Sequence, residues 1–301
     1  MANLAFVWQG LSQNKIYGHW GDGLRAAMNI IEKVHNVNYY EPWEDIEGAD
    51  VILYWEAPVT YQGENGEHYK KVQNNPTKKI LLFAGGQIKP EWCDGFDMFL
   101  VESEINEKEF EELGLPWKRA FGVDTNILKP EKQPKVWDAC FPGTCAGWKR
   151  QPLFSKALKE KGVICGRFQP TDPSPFNEAR NNGTLVLPEL SYEAVTSIYN
   201  ASHCCVNTSE YWGGGQRTTL EAMACGIPVI VMYDSPKNIE YVIESGAGLV
   251  VEPDENKIRE AIEQIKQWSD KDKQRGIDYV NSKWTAQHYA NNILEAIDEL
   301  L

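Results

Sequence analysis

Residues 206–231 read VNTSEYWGGGQRTTLEAMACGIPVIV: a strand end, a glycine-rich loop, a short helix, a glycine stop and a second strand. Cys204, Cys205 and Val206 close an apolar run, and Gly213, Gly214 and Gly215 follow. Three glycines let a backbone approach a ligand closely and take dihedrals that a Cβ forbids. Gln216, Arg217, Thr218 and Thr219 lead into a helical stretch through Ala224, and Gly226 sits where a helix C-terminus wants it. Pro228-Val229-Ile230-Val231 then starts a buried strand. A glycine loop feeding a helix N-terminus presents unpaired N–H groups and the positive end of the helix dipole, which favours phosphate. Glu221, about one turn into that helix, would repel a phosphate, so a ribose diol is its expected partner.

Working outward, LEAMACGIPVIV (220–231) followed by GAGLVVEPDE (246–255) resembles the nucleotide-sugar site of the family-four retaining glycosyltransferases. Phe121-Gly122-Val123-Asp124, with Pro130 after it, resembles that family's interdomain signature. Tyr199-Asn200-Ala201-Ser202 resembles the segment ahead of the donor strand, and Ser282-Lys283-Trp284 the start of the closing helices. The likeness covers the C-terminal half well and the N-terminal half loosely. It implies an α/β chain of two Rossmann-like doubly wound domains facing across a cleft (the GT-B fold). The expected division is an acceptor-side domain over 1–130, a donor domain over 131–283, and a helix over 284–301 crossing back.

The resemblance also assigns roles. In PGTCAGWKR (142–150), Lys149 matches the family's phosphate-binding lysine, Thr144 stands where an arginine is usual, and Arg150 or Arg217 is expected to supply the second cation. The family places Glu, seven residues, then Glu; the second is Glu221, while Gly213 occupies the first place and Glu210 lies three residues earlier. The expected catalytic set is therefore Lys149, Arg217 and Glu210. The expected donor contacts are Gly213, Gly214, Gly215, Gln216, Thr218, Thr219, Glu221, Arg150 and Gly18. The implied reaction is retaining, metal-independent transfer of a sugar from a nucleoside diphosphate sugar, a UDP-sugar foremost, to an acceptor hydroxyl, with no cofactor besides the donor. A nucleotide-sugar-binding pseudoenzyme and a sugar-nucleotide 2-epimerase are the competing readings.

The rest of the chain fits an α/β enzyme. Its 301 residues allow two domains, each with its own core. Hydrophobic residues make 42% and charged residues 24%, as in globular proteins. No apolar run approaches the ~20 residues that cross a bilayer, and Leu4-Ala5-Phe6-Val7-Trp8 reads as a first strand rather than a signal peptide. Seven irregularly spaced cysteines point to reduced thiols and a cytoplasmic location. A net charge of −13 disfavours polyanionic partners, so a glycan or small-molecule acceptor ranks above a modified DNA base.

Apolar runs at 50–55, 79–84 and 98–101 predict further strands of the first domain, and 24–34 an amphipathic helix. Ligands lie beyond the carboxyl ends of parallel strands, which directs attention to Trp8, Glu56, Gly85, Gly86 and Glu102. His19, Trp20, Trp55 and Glu56 are the acceptor-side candidates, the indoles because their faces stack on sugar rings. In the second half, 163–166 and 184–187 read as strands, 192–201 as a helix, and TDPSPFNEARNNG (171–183) as an irregular, turn-rich loop. Asp270-Lys271-Asp272 reads as a solvated pair of acids, so no metal site is expected.

Overall fold

The computed structural model describes residues 1–8, 23–56, 64–83, 87–168, 172–210 and 216–301. They form two compact units, Met1–Gly122 with Ala286–Leu301, and Val123–Thr285. Val123 N–H donates to Trp284 O at 2.8 Å, and Val123 pairs with Thr285 in a parallel bridge, so the second unit is tied shut at its own two ends. The cuts fall eight residues before 130/131 and two after 283/284, and this clasp draws Val123 and Trp284 into the second unit.

In the first unit the strands are β1 (Asn3–Val7), β2 (Asn36–Tyr40), β3 (Val51–Glu56), β4 (Lys78–Phe83), β5 (Met98–Val101) and β6 (Trp117–Arg119). Its helices are α1 (Gly23–Ile31), α2 (Glu64–Gln73), α3 (Pro90–Cys93) and α4 (Glu104–Glu112). The described residues form one parallel sheet in the order β2-β1-β3-β4-β5-β6. Its central strands are near-continuous apolar runs because helices cover both faces of such a sheet. Leu4 to Val7 and Val51 to Leu53 are fully buried. The edge strand β2 differs: NVNYY alternates polar with half-exposed residues.

The second unit repeats the plan with β7 (Trp137–Pro142), β8 (Gly162–Cys165), β9 (Leu185–Leu187), β10 (Ser202–Asn207), β11 (Val229–Met232) and β12 (Gly248–Val251). Its helices are α5 (Gln151–Leu158), α6 (Ser174–Asn181), α7 (Tyr192–Asn200), α8 (Gln216–Ala224), α9 (Pro236–Ser245), α10 (Glu255–Ile265) and α11 (Asp270–Lys283). The sheet order is β12-β11-β10-β7-β8-β9, again parallel. Helix α12 (Ala286–Leu300) follows and belongs to the first unit.

Helix α8 stops as its sequence requires. Gly226 takes φ +69° and donates to Met223 O, and Ile227 donates to Ala222 O, the paired bonds of a Schellman cap. The stretch 171–183 differs from its reading as an irregular loop, since 174–181 is α6. Pro173 is its N-cap and Pro175 lies in its first turn, where a missing N–H costs nothing. Phe176 and Ala179, one turn apart, are buried in the core of the unit, which is what makes so polar a stretch helical. Asp272 accepts from the Ser269 backbone and hydroxyl while its own N–H bonds back, so it is half of a capping box for α11. Among the described residues no helix is long and apolar enough to cross a membrane.

Candidate functional site

In the second sheet the chain runs β7-β8-β9 to one side and then returns to lay β10 against the other side of β7. The order therefore reverses between β7 and β10, and the crevice beyond that point is where an open α/β sheet holds its ligand. The segments leaving these two strands carry Lys149, Glu210 and, through α8, Arg217 and Glu221.

The loop after β7 is fixed at several points. Gly143 N–H donates to Cys165 O and Cys145 N–H to Arg167 O, so the loop runs on beside the chain leaving β8. Gly166 makes this approach possible, because a Cβ there would sit 2.0 Å from Gly143 O. Gln151 Nε2 donates to Thr144 O at 2.8 Å from below. A single 3₁₀ turn, Gly147–Lys149, then presents Lys149, and the one Thr208 hydroxyl hydrogen is shared between Lys149 O (2.6 Å) and Arg150 O (3.1 Å). Glu210 N–H donates to Trp148 O at 3.0 Å, which draws the segment leaving β10 onto the same turn; the Glu210 side chain is exposed.

Removal from water and the nearby Arg217 guanidinium bring the Lys149 ammonium down to about 8. Two cations thus converge at the amino end of α8, and Lys149 has no carboxylate within ion-pair distance among the described residues. Arg150 is placed differently. Its guanidinium donates two parallel bonds of 2.7 Å to the two Asp234 oxygens and a third to Thr208 O, also 2.7 Å. The cation read as a second phosphate ligand is thereby committed to a clamp joining the exits of β7, β10 and β11. Arg150 itself adopts φ +50°, a left-handed conformation uncommon for a non-glycine residue.

Helix α8 supplies the rest. Gln216 is buried, and its Nε2 has no hydrogen-bond partner among the described residues, an arrangement that calls for an explanation. Thr218 and Thr219 use their hydroxyls internally: Thr218 Oγ1 donates to Pro142 O at 3.0 Å and Thr219 Oγ1 to Asn238 Oδ1 at 2.8 Å. They anchor the helix to β7 and to α9, which leaves their N–H groups as what they can offer a ligand. Glu221 is buried, with Tyr192 OH on Oε1 and Tyr199 OH on Oε2, each at 2.8 Å. A fully buried lattice of Asn207, Ser209, Thr219, Ser235 and Asn238 lies beside it. Sequence reading missed the tyrosine contacts and this lattice; the one visible sign was the polar triplet Asn207-Thr208-Ser209 ending an apolar run.

The first sheet reverses between β1 and β3. At the carboxyl ends of those strands the Trp8 and Trp55 rings meet edge to face, centroids 5.1 Å apart. Gly18, His19, Trp20, Gly85, Gly86, Gly213, Gly214 and Gly215, together with the side chain of Glu56, lie outside the described residues. All seven cysteines are buried, and none is joined in a disulfide among the described residues. Burial pushes the Cys165, Cys204, Cys205 and Cys225 thiols up, so they stay protonated.

Comparison with solved structures returns the same architecture. Sucrose-phosphate synthase from Thermosynechococcus elongatus superposes with a TM-score of 0.77 at 16% identity, covering 100% of this chain and 99% of its own. A glycosyltransferase from Rickettsia africae gives 0.74 at 13%, covering 99% and 98%. Anabaena HepE, solved in complex with UDP and glucose, gives 0.73 at 12%, covering 99% and 100%. No curated protein matches the sequence significantly. The family model described as glycosyl transferases group 1 matches residues 125–279, just over half of the chain and nearly all of the second unit. With that match and a GT-B architecture along its whole length, this chain belongs to the glycosyl transferases group 1 and is a sugar-transferring enzyme.

Proposed function

We propose that the chain moves a sugar from a nucleoside diphosphate sugar, a UDP-sugar foremost, to an acceptor hydroxyl, with retention at the anomeric carbon and without a catalytic metal. The observation that carries this reading is the convergence of Lys149 and Arg217 at the amino end of α8, with Glu221 about one turn further in. Like charges brought together in a partly dried crevice suit a diphosphate, and a carboxylate one turn on suits the ribose hydroxyls. The unpartnered Gln216 Nε2 adds a donor to the same end of the helix.

Charge grows on the leaving diphosphate as the bond from the anomeric carbon to the phosphate oxygen breaks. Lys149, Arg217 and the first N–H groups of α8 are the groups to stabilise it. The acceptor hydroxyl attacks on the face that the diphosphate leaves, and the diphosphate takes its proton, so no protein nucleophile is required. The UDP bound to HepE supports UDP as the first nucleotide to test. Trp55, paired with Trp8 at the switch point of the first sheet, is our candidate for stacking on a glycan or small-molecule acceptor. Seven buried thiols with no disulfide suit a cytoplasmic location.

The test is to incubate the protein with UDP-, GDP- and ADP-sugars and follow release of the nucleoside diphosphate. Slow hydrolysis without acceptor is expected, and Lys149→Ala is expected to lower it by about 10²–10³-fold. Gly213 at the first acid place favours a second reading, a nucleotide-sugar binder without turnover. Thermal stabilisation with no release would establish that reading instead, and a new sugar isomer would overturn both.

A further inference from the structure

We infer that Arg150 and Asp234 are positioning residues: their ion pair holds the turn Gly147–Lys149 in place and so sets where the Lys149 ammonium stands in the crevice. The inference rests on the phosphate-binding role proposed above for Lys149.

Arg150 is the joint between two short helical pieces. It ends the 3₁₀ turn, its N–H donating to Gly147 O at 3.0 Å. It also opens α5, its carbonyl accepting from Leu153 N–H at 2.9 Å. With φ +50° and ψ +39° it lies in the left-handed region, which a non-glycine residue keeps only where its surroundings enforce it. The guanidinium supplies that enforcement. Nη1 and Nη2 each reach one Asp234 oxygen and Nε reaches Thr208 O, all at 2.7 Å. A planar fork engaged through all three nitrogens is restricted to one orientation.

The residue after Lys149 is therefore tied to positions 58 and 84 residues along the chain, at the exits of β10 and β11. The residue before it is held as well, because Trp148 O accepts from Glu210 N–H. Lys149 itself has a long flexible stem, so its ammonium is aimed by the backbone on which that stem starts. Arg150 in turn holds the Asp234 carboxyl below the usual carboxylate range, so the pair stays charged through neutral and alkaline pH. Removal from water, with Arg217 of α8 nearby, brings Lys149 down to about 8. A turn set loose returns that ammonium to water, and its pKa climbs toward the ordinary lysine range.

The experiment is to measure dissociation constants for UDP and GDP from pH 6.5 to 9.5, with a melting curve for each protein. The proteins are the wild type, Asp234→Ala, Arg150→Gly, Lys149→Ala, and each of the first two changes combined with Lys149→Ala. Glycine takes the left-handed conformation freely, so Arg150→Gly removes the ion pair without adding strain. At pH 7 Asp234→Ala and Arg150→Gly are each expected to bind UDP about tenfold more weakly. Their loss of affinity with rising pH is expected to begin above about pH 9, where the wild type begins near 8. On the Lys149→Ala background either change is expected to alter affinity by less than about twofold, since both act through that ammonium.

A weaker variant whose alkaline loss still begins near pH 8 would show a merely structural role and overturn the inference. Unchanged affinity in both variants would do the same. So would tighter binding by Asp234→Ala, which would make Arg150 a phosphate ligand that Asp234 holds back. Asp234 is half-exposed, so its variant keeps the test decisive if Arg150→Gly unfolds. Any of these results with a wild type that binds UDP sinks the inference alone, whereas a wild type that binds neither UDP nor GDP sinks the proposed function with it.

Discussion

An ammonium held down to about 8 is close to half protonated in mildly alkaline solution, and Lys149 is in that position because it leaves water beside Arg217. A bound diphosphate favours the charged form and raises the pKa of the complex. Below about pH 7.5 the proton is already present, so affinity for UDP is expected to be flat. As pH rises past 8 the proton must come from solvent, and Kd is expected to weaken by about tenfold per pH unit until the pKa of the complex is reached. Titration calorimetry from pH 6.5 to 9.5, in buffers of differing ionisation heat, reads both the slope and the proton uptake. Lys149→Arg, which stays protonated throughout, is expected to flatten the profile. In the sequence Lys149 takes the lysine place of the resemblance, while Arg150 and Arg217 stand level as candidates for the second cation. What separates them is Asp234, 84 residues beyond Arg150, which pairs with that arginine through both of its oxygens. Contacts at such separations, like those of Tyr192 and Tyr199 with Glu221, belong to topology and leave no local trace.

Two glycines decide how elements of the second unit meet, Gly166 beside the crevice and Gly226 at the far end of α8. Gly166 lets the exit of β8 lie against Gly143, and Gly166→Ala is expected to cost roughly 3 kcal/mol, because backbone on both sides must move. Gly226 asks less: its left-handed φ and an Ile277 Cδ1 only 3.1 Å from a built Cβ predict a loss of about 1–2 kcal/mol for Gly226→Ala. Urea unfolding of the two variants checks both the size and the order of the effects. The buried central strands β1, β3, β4 and β5 were legible because each is an apolar run that nothing else in a globular chain requires. The edge strands β2 (NVNYY) and β6 (WKR) were not, since half-exposed residues leave no such run. Helix α6 was hidden by its prolines and asparagines, and only the Phe176–Ala179 spacing betrays it. For the site, the loop-helix-strand grammar of 206–231 identified α8 and its glycine stop. It could not show that the hydroxyls of Thr218 and Thr219 turn inward.

At the scale of the molecule, the first unit is discontinuous in sequence. Ala286, Tyr289, Ala290, Ile293, Ala296 and Ile297 of α12 are buried, and α12 packs along α1, whose Leu24, Ala27, Met28 and Ile31 are buried as well. Lys118 holds Glu299 at 2.8 Å, and Asn292 donates to Arg119 O, so the helix is also pinned to β6. Ending the chain at Thr285 strips that apolar face from the first unit and leaves the second unit with all its own parts. Hydrogen exchange on such a truncation is expected to show protection lost across 1–122 and kept at 216–232; equal loss in both would contradict the division. The same arrangement bears on how the chain is made. Ribosomes deliver residues in order, and a leading domain ordinarily matures while the next is still being translated. Here the leading segment waits for helix 286–300 to emerge, so the later-born unit has every piece of itself in hand first, and the nascent amino-terminal sheet spends that interval with α1 uncovered.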